Sequence, residues 1–213
     1  KVKASKVIAF KKYDDGRDPH LQIAQTIISS EIPAVLCERS ESKDLYELSE
    51  RCLKNLSDSF AKFPDAEPTL FNDLGQSLQS FEGNILLGNS MPIRYAEWFW
   101  SKTNKNINIY CNRGTNGIDG TISCATGIAV GSKKQTICVL GDVTFAHDIG
   151  FLPHAVALAN KYSLNITFVV IDNNGGAIFS HLEQGKNQAM QSSYEEIMQT
   201  PTNIDFESAA KAF

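Results

Sequence analysis

Two apolar runs that flank a helical pattern place the strongest constraint on the fold of this chain. Residues 136–140 (TICVL) and 166–171 (ITFVVI) are rich in the β-branched and apolar side chains that form buried strands. Between the runs, apolar side chains recur at the spacing of one helix face, namely Leu152, Ala155, Val156, Leu158 and Ala159. We therefore expect a β-α-β unit whose strands are parallel neighbours joined by a right-handed crossover.

Each of these runs ends in polar residues and glycine. Asp142 follows the first run after Gly141, and Asn173 follows the second within residues 172–176 (DNNGG). Because ligands bind at the carboxyl ends of strands in open α/β sheets, we expect the Asp142 carboxylate, the Asn173 amide and the Gly175 carbonyl to converge. Such hard oxygen ligands suit Mg²⁺, and a single carboxylate leaves coordination positions for the phosphates of a ligand. The structural alternative is a strand-end cap at Asp142 and an Asx turn at Asn173.

Further patterns extend this unit to a larger fold. Apolar runs predict strands at 85–87 and 107–110. Helices are expected from Thr69, which could cap its helix, from Pro92, from Thr121 and over residues 206–213. Residues 180–203 are polar without clear periodicity, and we expect a mobile segment over the site there. The alternation of strands and helices predicts an α/β fold, a doubly wound parallel sheet with helices on both faces.

The first part of the chain has a separate pattern. It predicts strands at 7–10 and 34–37, a short helix over 21–28 and a long amphipathic helix over 45–63. The proline-containing residues 63–68 (FPDAEP) should break that helix, so we expect a domain boundary there.

Composition excludes several classes of function. A net charge of −4 with scattered basic residues argues against nucleic-acid binding. No stretch is long and apolar enough to predict a membrane span, and the chain does not open with a signal peptide. The five cysteines form no C-x-x-C pair, which indicates free thiols and a cytoplasmic protein. Cys111 and Cys138 fall in predicted strands and should be small core residues. Because the chain starts at a lysine, we expect a fragment of a longer protein.

Four sequence blocks, in order along the chain, resemble one family. They are residues 88–94 (GNSMPIR), 112–120 (NRGTNGIDG), 141–148 (GDVTFAHD) and 172–179 (DNNGGAIF). The last two contain a pattern that is similar to the thiamine-diphosphate signature GD…NN. Together, the blocks resemble the 2-succinyl-5-enolpyruvyl-6-hydroxy-3-cyclohexene-1-carboxylate synthases of menaquinone and phylloquinone biosynthesis. The resemblance implies that residues 1–64 are the C-terminal part of a central domain plus a connector helix. It implies that residues 65–213 are a thiamine-diphosphate-binding domain, truncated at its C-terminus.

The resemblance implies roles for particular residues. The metal ligands would be Asp142, Asn173 and the carbonyl of Gly175, for Mg²⁺ or Mn²⁺. The cofactor would contact Ile118, Gly141, Asp142, Val143, Thr144, Asn173, Gly175, Gly176 and Ile178. The substrate would contact Ser90, Arg94, Arg113, Phe179 and Leu182.

Each of these roles has a structural alternative. Arg113 could be a surface residue paired to Asp119 instead of a fork for a substrate carboxylate. Ser90 could be a helix cap and Arg94 could lie on an exposed face, while the apolar residues could be ordinary core. His147 and Asp148 are adjacent and should point apart, so we do not expect a catalytic pair. His154 is expected to be structural, and His181 stands where the family often has an apolar residue.

The family's activity is a carboligation, a transferase reaction. It condenses 2-oxoglutarate, with decarboxylation, and isochorismate, using thiamine diphosphate. Its active site lies at a subunit interface of a homodimer or tetramer, and an activating glutamate comes from a first domain that this sequence does not contain. The resemblance therefore implies no catalytic residue here and an isolated chain without activity. A plastid location is expected instead of the cytoplasm if the source is a photosynthetic eukaryote.

Two other functions stay open at this point. One is another thiamine-diphosphate decarboxylase or carboligase, such as an acetolactate-synthase type, although residues 112–120 and the pair Arg94 and Arg113 argue against it. The other is a non-catalytic relic that kept the fold. A nicotinamide-binding protein is disfavoured because no G-x-G-x-x-G follows an early strand.

Overall fold

The computed structural model describes residues 7–11, 23–28, 43–100, 106–186 and 191–213. The chain divides into two compact units, Lys1–Lys54 and Asn55–Phe213. The division falls at residue 54, ten residues before the expected boundary after residue 64, and that boundary stays a prediction.

The first unit contains a small parallel sheet. Strand β1 (Val7–Lys11) pairs with strand β2 (Ile23–Ile28). The strand at 7–10 is confirmed, whereas the short helix expected over 21–28 is wrong. Four of the six residues of β2 are Ile or Thr, and such β-branched side chains favour a strand over a helix. The strand expected at 34–37 lies outside the described residues.

A long helix, α1 (Lys43–Lys62), confirms the pattern expected over 45–63. It begins in the first unit and ends in the second. The helix stops before Pro64, because proline disfavours helical backbone in the residue that precedes it.

A parallel four-stranded sheet forms the centre of the second unit. Its strands are β3 (Gly83–Leu87), β4 (Ile107–Cys111), β5 (Thr136–Gly141) and β6 (Ile166–Ile171), in the spatial order β4-β3-β5-β6. Strands β5 and β6 are hydrogen-bonded neighbours, with Gly141 opposite Ile171. The expected β-α-β unit is therefore confirmed, and the residues after both strands start at the same edge of the sheet.

Helices cover both faces of this sheet. They are α2 (Glu67–Ser77), α3 (Met91–Phe99), α4 (Thr121–Ser132), α5 (Asp142–Asp148) and α6 (Leu152–Tyr162). Three short helices follow, α7 (Glu183–Lys186), α8 (Gln191–Tyr194) and α9 (Phe206–Lys211), with a π-helical turn at Glu195–Gln199. No helix among the described residues is both long and apolar enough to cross a membrane.

Alternate side chains of the strands enter two separate cores. Ile85, Leu87 and Val139 pack with α2 and α3 on one face. Leu86 and Cys138 pack with α4, α5 and α6 on the other face. This alternation follows from the two-residue period of a strand, and it confirms the doubly wound α/β fold.

Two local expectations are wrong. Helix α2 begins two residues before Thr69, with Ala66 at the N-cap, because Pro68 is favoured in a first turn. The Thr69 hydroxyl instead donates a hydrogen bond to the carbonyl of Phe63 at 2.7 Å. Cys138 is fully buried as expected, but Cys111 is exposed because β4 is an edge strand of the described sheet.

Candidate functional site

A cavity of about 340 Å³ lies at the carboxyl edge of the sheet. Thirteen of the fourteen residues predicted as site residues line it: Ser90, Arg94, Arg113, Ile118, Gly141, Asp142, Val143, Thr144, Asn173, Gly175, Gly176, Ile178 and Phe179. The exception is Leu182, which is exposed and is not among the described residues of the lining. The structure thus brings the predicted residues together, while their roles stay predictions.

A second cavity, of about 510 Å³, is larger but less suited to chemistry. It lies between α6, β6 and α9, and its described lining is apolar apart from Glu207. Binding sites need a few convergent polar groups besides apolar walls. The smaller cavity has them, and it is therefore the candidate site.

Asp142 links the ends of the two central strands. Its side chain is buried, with 2% of its surface exposed. One carboxylate oxygen accepts a hydrogen bond from the Val143 N–H at 2.8 Å, and the other accepts from the Gly175 N–H at 2.5 Å. Burial raises the pKa of Asp142, and these two hydrogen bonds oppose the rise only in part, while the neighbouring charge of Asp172 adds to it. A bound cation would favour the charged form of this carboxylate.

Asn173 has one partnered and one unpartnered amide atom. Its Nδ2 donates a hydrogen bond to Glu67 Oε1 at 2.7 Å. Its Oδ1 is buried and has no hydrogen-bond partner among the described residues. Leaving a buried acceptor unsatisfied costs about 1–3 kcal/mol, so a hydrogen-bond donor or a cation at this oxygen would be favourable.

An Asx turn follows β6, but Asn173 is not the residue that forms it. Asp172, not Asn173, forms the Asx turn, because its Oδ1 accepts from the Asn174 N–H at 3.0 Å. Asn174 has a left-handed backbone with φ of 61°. The Asx turn expected as the structural alternative for Asn173 is therefore made by Asp172.

Gly175 is required by the packing of this turn. Its φ is 122°, and a Cβ atom there would collide with the carbonyl oxygen of Gln199. The same carbonyl accepts a hydrogen bond from the Gly176 N–H at 2.5 Å. The π-helical turn Glu195–Gln199 thus packs against the loop after β6 and is hydrogen-bonded to it. The adjacent Thr200 lines the cavity.

Two arginines reach the cavity from other strand ends. Arg94 is half-buried, and its Nη1 donates to the Ser90 carbonyl at 2.5 Å. Ser90 itself makes no side-chain cap, although it stands at the N-cap of α3. Arg113 is exposed, and no carboxylate within the described ranges lies within 4.0 Å of it, so the pairing with Asp119 is not found.

The loop that carries Arg113 is held by a residue that the sequence did not single out. Asn89 is buried, and its Nδ2 donates to the carbonyls of Asn112 at 2.8 Å and Gly117 at 2.5 Å. The amide therefore bridges both ends of the loop. Sequence blocks could have pointed to Asn89, since it lies within residues 88–94, but its contacts depend on the tertiary structure.

The remaining polar candidates do not form a second site. His147, His154 and His181 are absent from the described lining of the cavity. Within the described ranges, no three His, Cys, Asp or Glu side chains form a cluster that could hold a metal. The described lining of the cavity contains two carboxylates, those of Glu67 and Asp142, so neutral oxygens would have to complete the coordination of any cation there.

Comparisons with known proteins identify the family to which this chain is similar. The chain is 38% identical over 148 residues to a 2-succinyl-5-enolpyruvyl-6-hydroxy-3-cyclohexene-1-carboxylate synthase of Bacillus velezensis, covering 63% of this chain and 24% of that protein. It is 33% identical over 201 residues to the synthase of Synechococcus elongatus, covering 93% of this chain and 32% of that protein. The synthase of Geobacillus kaustophilus is 36% identical over 147 residues, with coverages of 69% and 24%.

The chain spans about a quarter to a third of the length of these curated relatives. The expected resemblance to the synthases is confirmed by these matches. A family model described as the thiamine pyrophosphate enzyme C-terminal TPP binding domain matches residues 91–213. That match contains the strand ends after β5 and β6 and covers more than half of the chain, and the chain therefore belongs to the thiamine pyrophosphate enzyme family.

Proposed function

We propose that the cavity binds the diphosphate of thiamine diphosphate through a divalent cation, Mg²⁺ or Mn²⁺. The ligands from the chain are the Asp142 carboxylate, Asn173 Oδ1 and the Gly175 carbonyl. The observation that carries the proposal is the buried, unpartnered Asn173 Oδ1 in a cavity that the buried Asp142 also lines. An oxygen set with one charge suits a hard cation that shares its coordination with phosphates.

The Gly175 carbonyl is compatible with this role. It accepts a hydrogen bond from the Ala177 N–H at 2.9 Å in the structure. A carbonyl oxygen has two lone pairs, so one remains for a cation. The hydrogen bond from the Gly175 N–H to Asp142 keeps this carbonyl and the carboxylate in one fixed arrangement.

Other lining residues would hold the rest of the cofactor. Gly141, Val143 and Thr144 line the cavity where β5 passes into α5, and Gly176 lines it after β6. Glycines allow backbone N–H groups to approach phosphate oxygens closely. Ile118 and Ile178 supply apolar surface, and we assign Ile118 to support of the cofactor's bent conformation. Once bound, thiamine diphosphate supplies the carbon chemistry, and the chain positions it and excludes water.

We further propose that the protein acts in the reaction named in its relatives, the synthesis of 2-succinyl-5-enolpyruvyl-6-hydroxy-3-cyclohexene-1-carboxylate. Its substrates would be 2-oxoglutarate and isochorismate, which both carry carboxylates. Arg94 and Arg113 reach the same cavity, and a guanidinium binds a carboxylate through paired hydrogen bonds. Ser90 and Phe179 complete this part of the lining. Leu182 lies outside the described lining, and its predicted contact with the substrate stays a prediction.

The complete reaction would need more than this chain. We propose that an activating glutamate comes from another domain, that the active assembly is a homo-oligomer in the cytoplasm, and that the 213-residue chain alone binds the cofactor weakly without turnover.

A titration tests the proposal directly. Thiamine diphosphate is added to the 213-residue chain with Mg²⁺, and in a parallel series with excess EDTA, while calorimetry records binding. Saturable binding that requires the cation is the expected result. Binding of equal affinity in EDTA would show that the three oxygens do not act through a metal.

A further inference from the structure

Glu67 lies in the candidate cavity but belongs to a distant part of the chain. It stands in the first turn of α2, and it is separated from Asn173 by 106 positions in the sequence. Its Oε1 nevertheless accepts the hydrogen bond from Asn173 Nδ2 at 2.7 Å. The contact therefore joins the Asn173 amide, which follows β6, to the first turn of α2.

The chemistry of this contact determines which way the amide points. A carboxylate only accepts hydrogen bonds, so the NH₂ group of Asn173 must face Glu67. The opposite orientation would place the amide oxygen against a carboxylate oxygen, without a proton between them. Because the amide nitrogen is bound to Glu67, Asn173 Oδ1 points away from Glu67. This oxygen is the buried atom that has no hydrogen-bond partner among the described residues.

Tyr95 of α3 is a neighbour of Glu67. The pKa of Tyr95 is raised by burial first and then by the charge and hydrogen bonding of the nearby Glu67 carboxylate. The Tyr95 ring is buried, and it packs against Phe71 and Phe99 at centroid distances of 5.4 and 5.8 Å. A packed ring beside the Glu67 carboxylate limits the space in which that carboxylate can move.

We propose that Glu67 is a positioning residue, which orients the Asn173 amide so that Oδ1 binds the divalent cation. This inference rests on the proposed function, because it needs Asn173 to be a metal ligand. Groups that hydrogen-bond to metal ligands commonly fix the ligand's orientation, and their removal reduces metal affinity roughly 10–100-fold. Glu67 itself does not touch the cation in this scheme.

The competing interpretation is that Glu67 only fastens α2 to the loop after β6. The two interpretations predict different results for a double-mutant cycle of Glu67 and Asn173. If Glu67 acts through the amide oxygen, its removal matters only while Asn173 is present. If it is a structural fastener, removal of Glu67 should weaken cation binding by the same factor with or without the Asn173 side chain.

The test measures Mn²⁺ affinity of the 213-residue chain in the presence of thiamine diphosphate, from the electron paramagnetic resonance signal of free Mn²⁺. Glu67→Ala, Asn173→Ala and the double variant are compared with the unchanged chain. We expect roughly a 10–100-fold loss for Glu67→Ala, a similar or larger loss for Asn173→Ala, and no further loss in the double variant. Glu67→Gln retains a carbonyl acceptor and should recover part of the affinity.

Glu82→Ala is a matched control. Glu82 is exposed and accepts a hydrogen bond from Asn106 Nδ2 at 2.6 Å, the same kind of amide-to-carboxylate contact away from the cavity lining. The Mn²⁺ affinity of the Glu82→Ala variant should equal that of the unchanged chain. Urea unfolding of every variant identifies any that fails to fold, and Glu67→Leu, which keeps most of the side-chain volume without an acceptor, then replaces Glu67→Ala in the cycle.

The outcomes separate the two proposals. If Asn173→Ala weakens Mn²⁺ binding and the folded Glu67 variants do not, the positioning role is wrong and the proposed function stands. If the losses multiply in the double variant, Glu67 is a fastener and the inference is also wrong. If Asn173→Ala leaves the affinity unchanged, or the unchanged chain binds no Mn²⁺, the proposed metal site fails and the inference fails with it.

Discussion

The Asp142 carboxylate accepts a hydrogen bond from the Gly175 N–H across 33 positions of sequence, at 2.5 Å. The contact joins the residue that follows β5 to the loop that follows β6. Because the two strands are hydrogen-bonded neighbours, this loop is fixed relative to the sheet. The cation site that we propose is therefore a property of paired strand ends, and changes at either end should affect it.

Replacement of Asp142 should abolish cation-dependent cofactor binding. Asp142→Ala removes the only carboxylate of the proposed metal set and leaves the Gly175 N–H without its acceptor, so thiamine diphosphate should no longer bind more tightly with Mg²⁺ than with EDTA. Calorimetry with both solutions measures this difference. Asp73→Ala, at an exposed position on α2, is the control and should bind as the unchanged chain does. Undiminished Mg²⁺-dependent binding by Asp142→Ala would disprove the metal assignment.

Replacement of Gly175 by alanine should destabilise the chain. The φ of 122° is unfavourable for a residue with a Cβ atom, and that atom would meet the Gln199 carbonyl, so we expect a loss of at least about 1–3 kcal/mol in the free energy of unfolding. Urea denaturation monitored by circular dichroism gives the value.

Gly127→Ala is the matched control for that substitution. Gly127 lies inside α4, and a Cβ atom there would contact nothing within 4 Å. Alanine is favoured over glycine in a helix, so a gain of about 0.5–1 kcal/mol is expected. Equal effects at the two positions would mean that the loop conformation around Gly175 is not the one described.

Replacement of Arg113 by alanine should affect the substrate and spare the cofactor. In an active protein that contains this chain, we expect kcat/KM for 2-oxoglutarate to fall roughly 10–100-fold, which corresponds to the loss of a hydrogen bond to a charged group. The affinity for thiamine diphosphate with Mg²⁺ should stay the same.

Two controls accompany the Arg113 measurement. Arg51→Ala removes an exposed arginine of α1 outside the cavity lining and should leave both quantities unchanged. Pyruvate is assayed beside 2-oxoglutarate, and a preference for pyruvate would favour an acetolactate-synthase type of reaction. A parallel loss of cofactor affinity in Arg113→Ala would instead assign this arginine a structural role.

The cysteines should differ in their reactivity. Burial raises the pKa of the Cys138 thiol from 9.0 to about 12, so this thiol stays protonated and shielded, whereas Cys52 and Cys111 are exposed. At pH 8, iodoacetamide should modify the exposed pair and reach Cys138 only after unfolding, which peptide mass spectrometry can follow. Rapid modification of Cys138 in the folded chain would contradict its position in the core.

The same shift predicts a loss of stability in alkaline solution. The folded chain holds the Cys138 proton more tightly than the unfolded chain does, so the stabilising contribution is complete below pH 9.0 and declines as the pH rises towards about 12. Urea midpoints measured across this range should fall less steeply for Cys138→Ala than for the unchanged chain. Identical slopes would exclude Cys138 as a source of the pH dependence.

The local patterns predicted the fold of the second unit well. The apolar runs of β3 and β5 bury alternate side chains on the two faces of the sheet, as a central strand of a parallel sheet covered by helices must. The first unit was less predictable, because the spacing of Leu21 to Ile28 fits a helix while its β-branched residues favour a strand, and pairing with β1 decides between them. Thr69 was also predicted wrongly. It is a residue type that caps helices, but α2 begins at Glu67, two residues before it.

The sequence by itself determined that two polar strand ends would meet at one edge of a parallel sheet, because strand period, crossover handedness and the GD…NN spacing are local properties of the chain. The tertiary structure decided what surrounds them: Glu67 on the Asn173 amide, Gln199 against Gly175, and Asn89 across the loop of Arg113. These contacts join residues 23 to 106 positions apart, and they depend on how helices and loops pack after the sheet has formed. The sequence contains no periodic pattern that encodes such long-range contacts. The residues that line the cavity could therefore be predicted, and the groups that contact them could not.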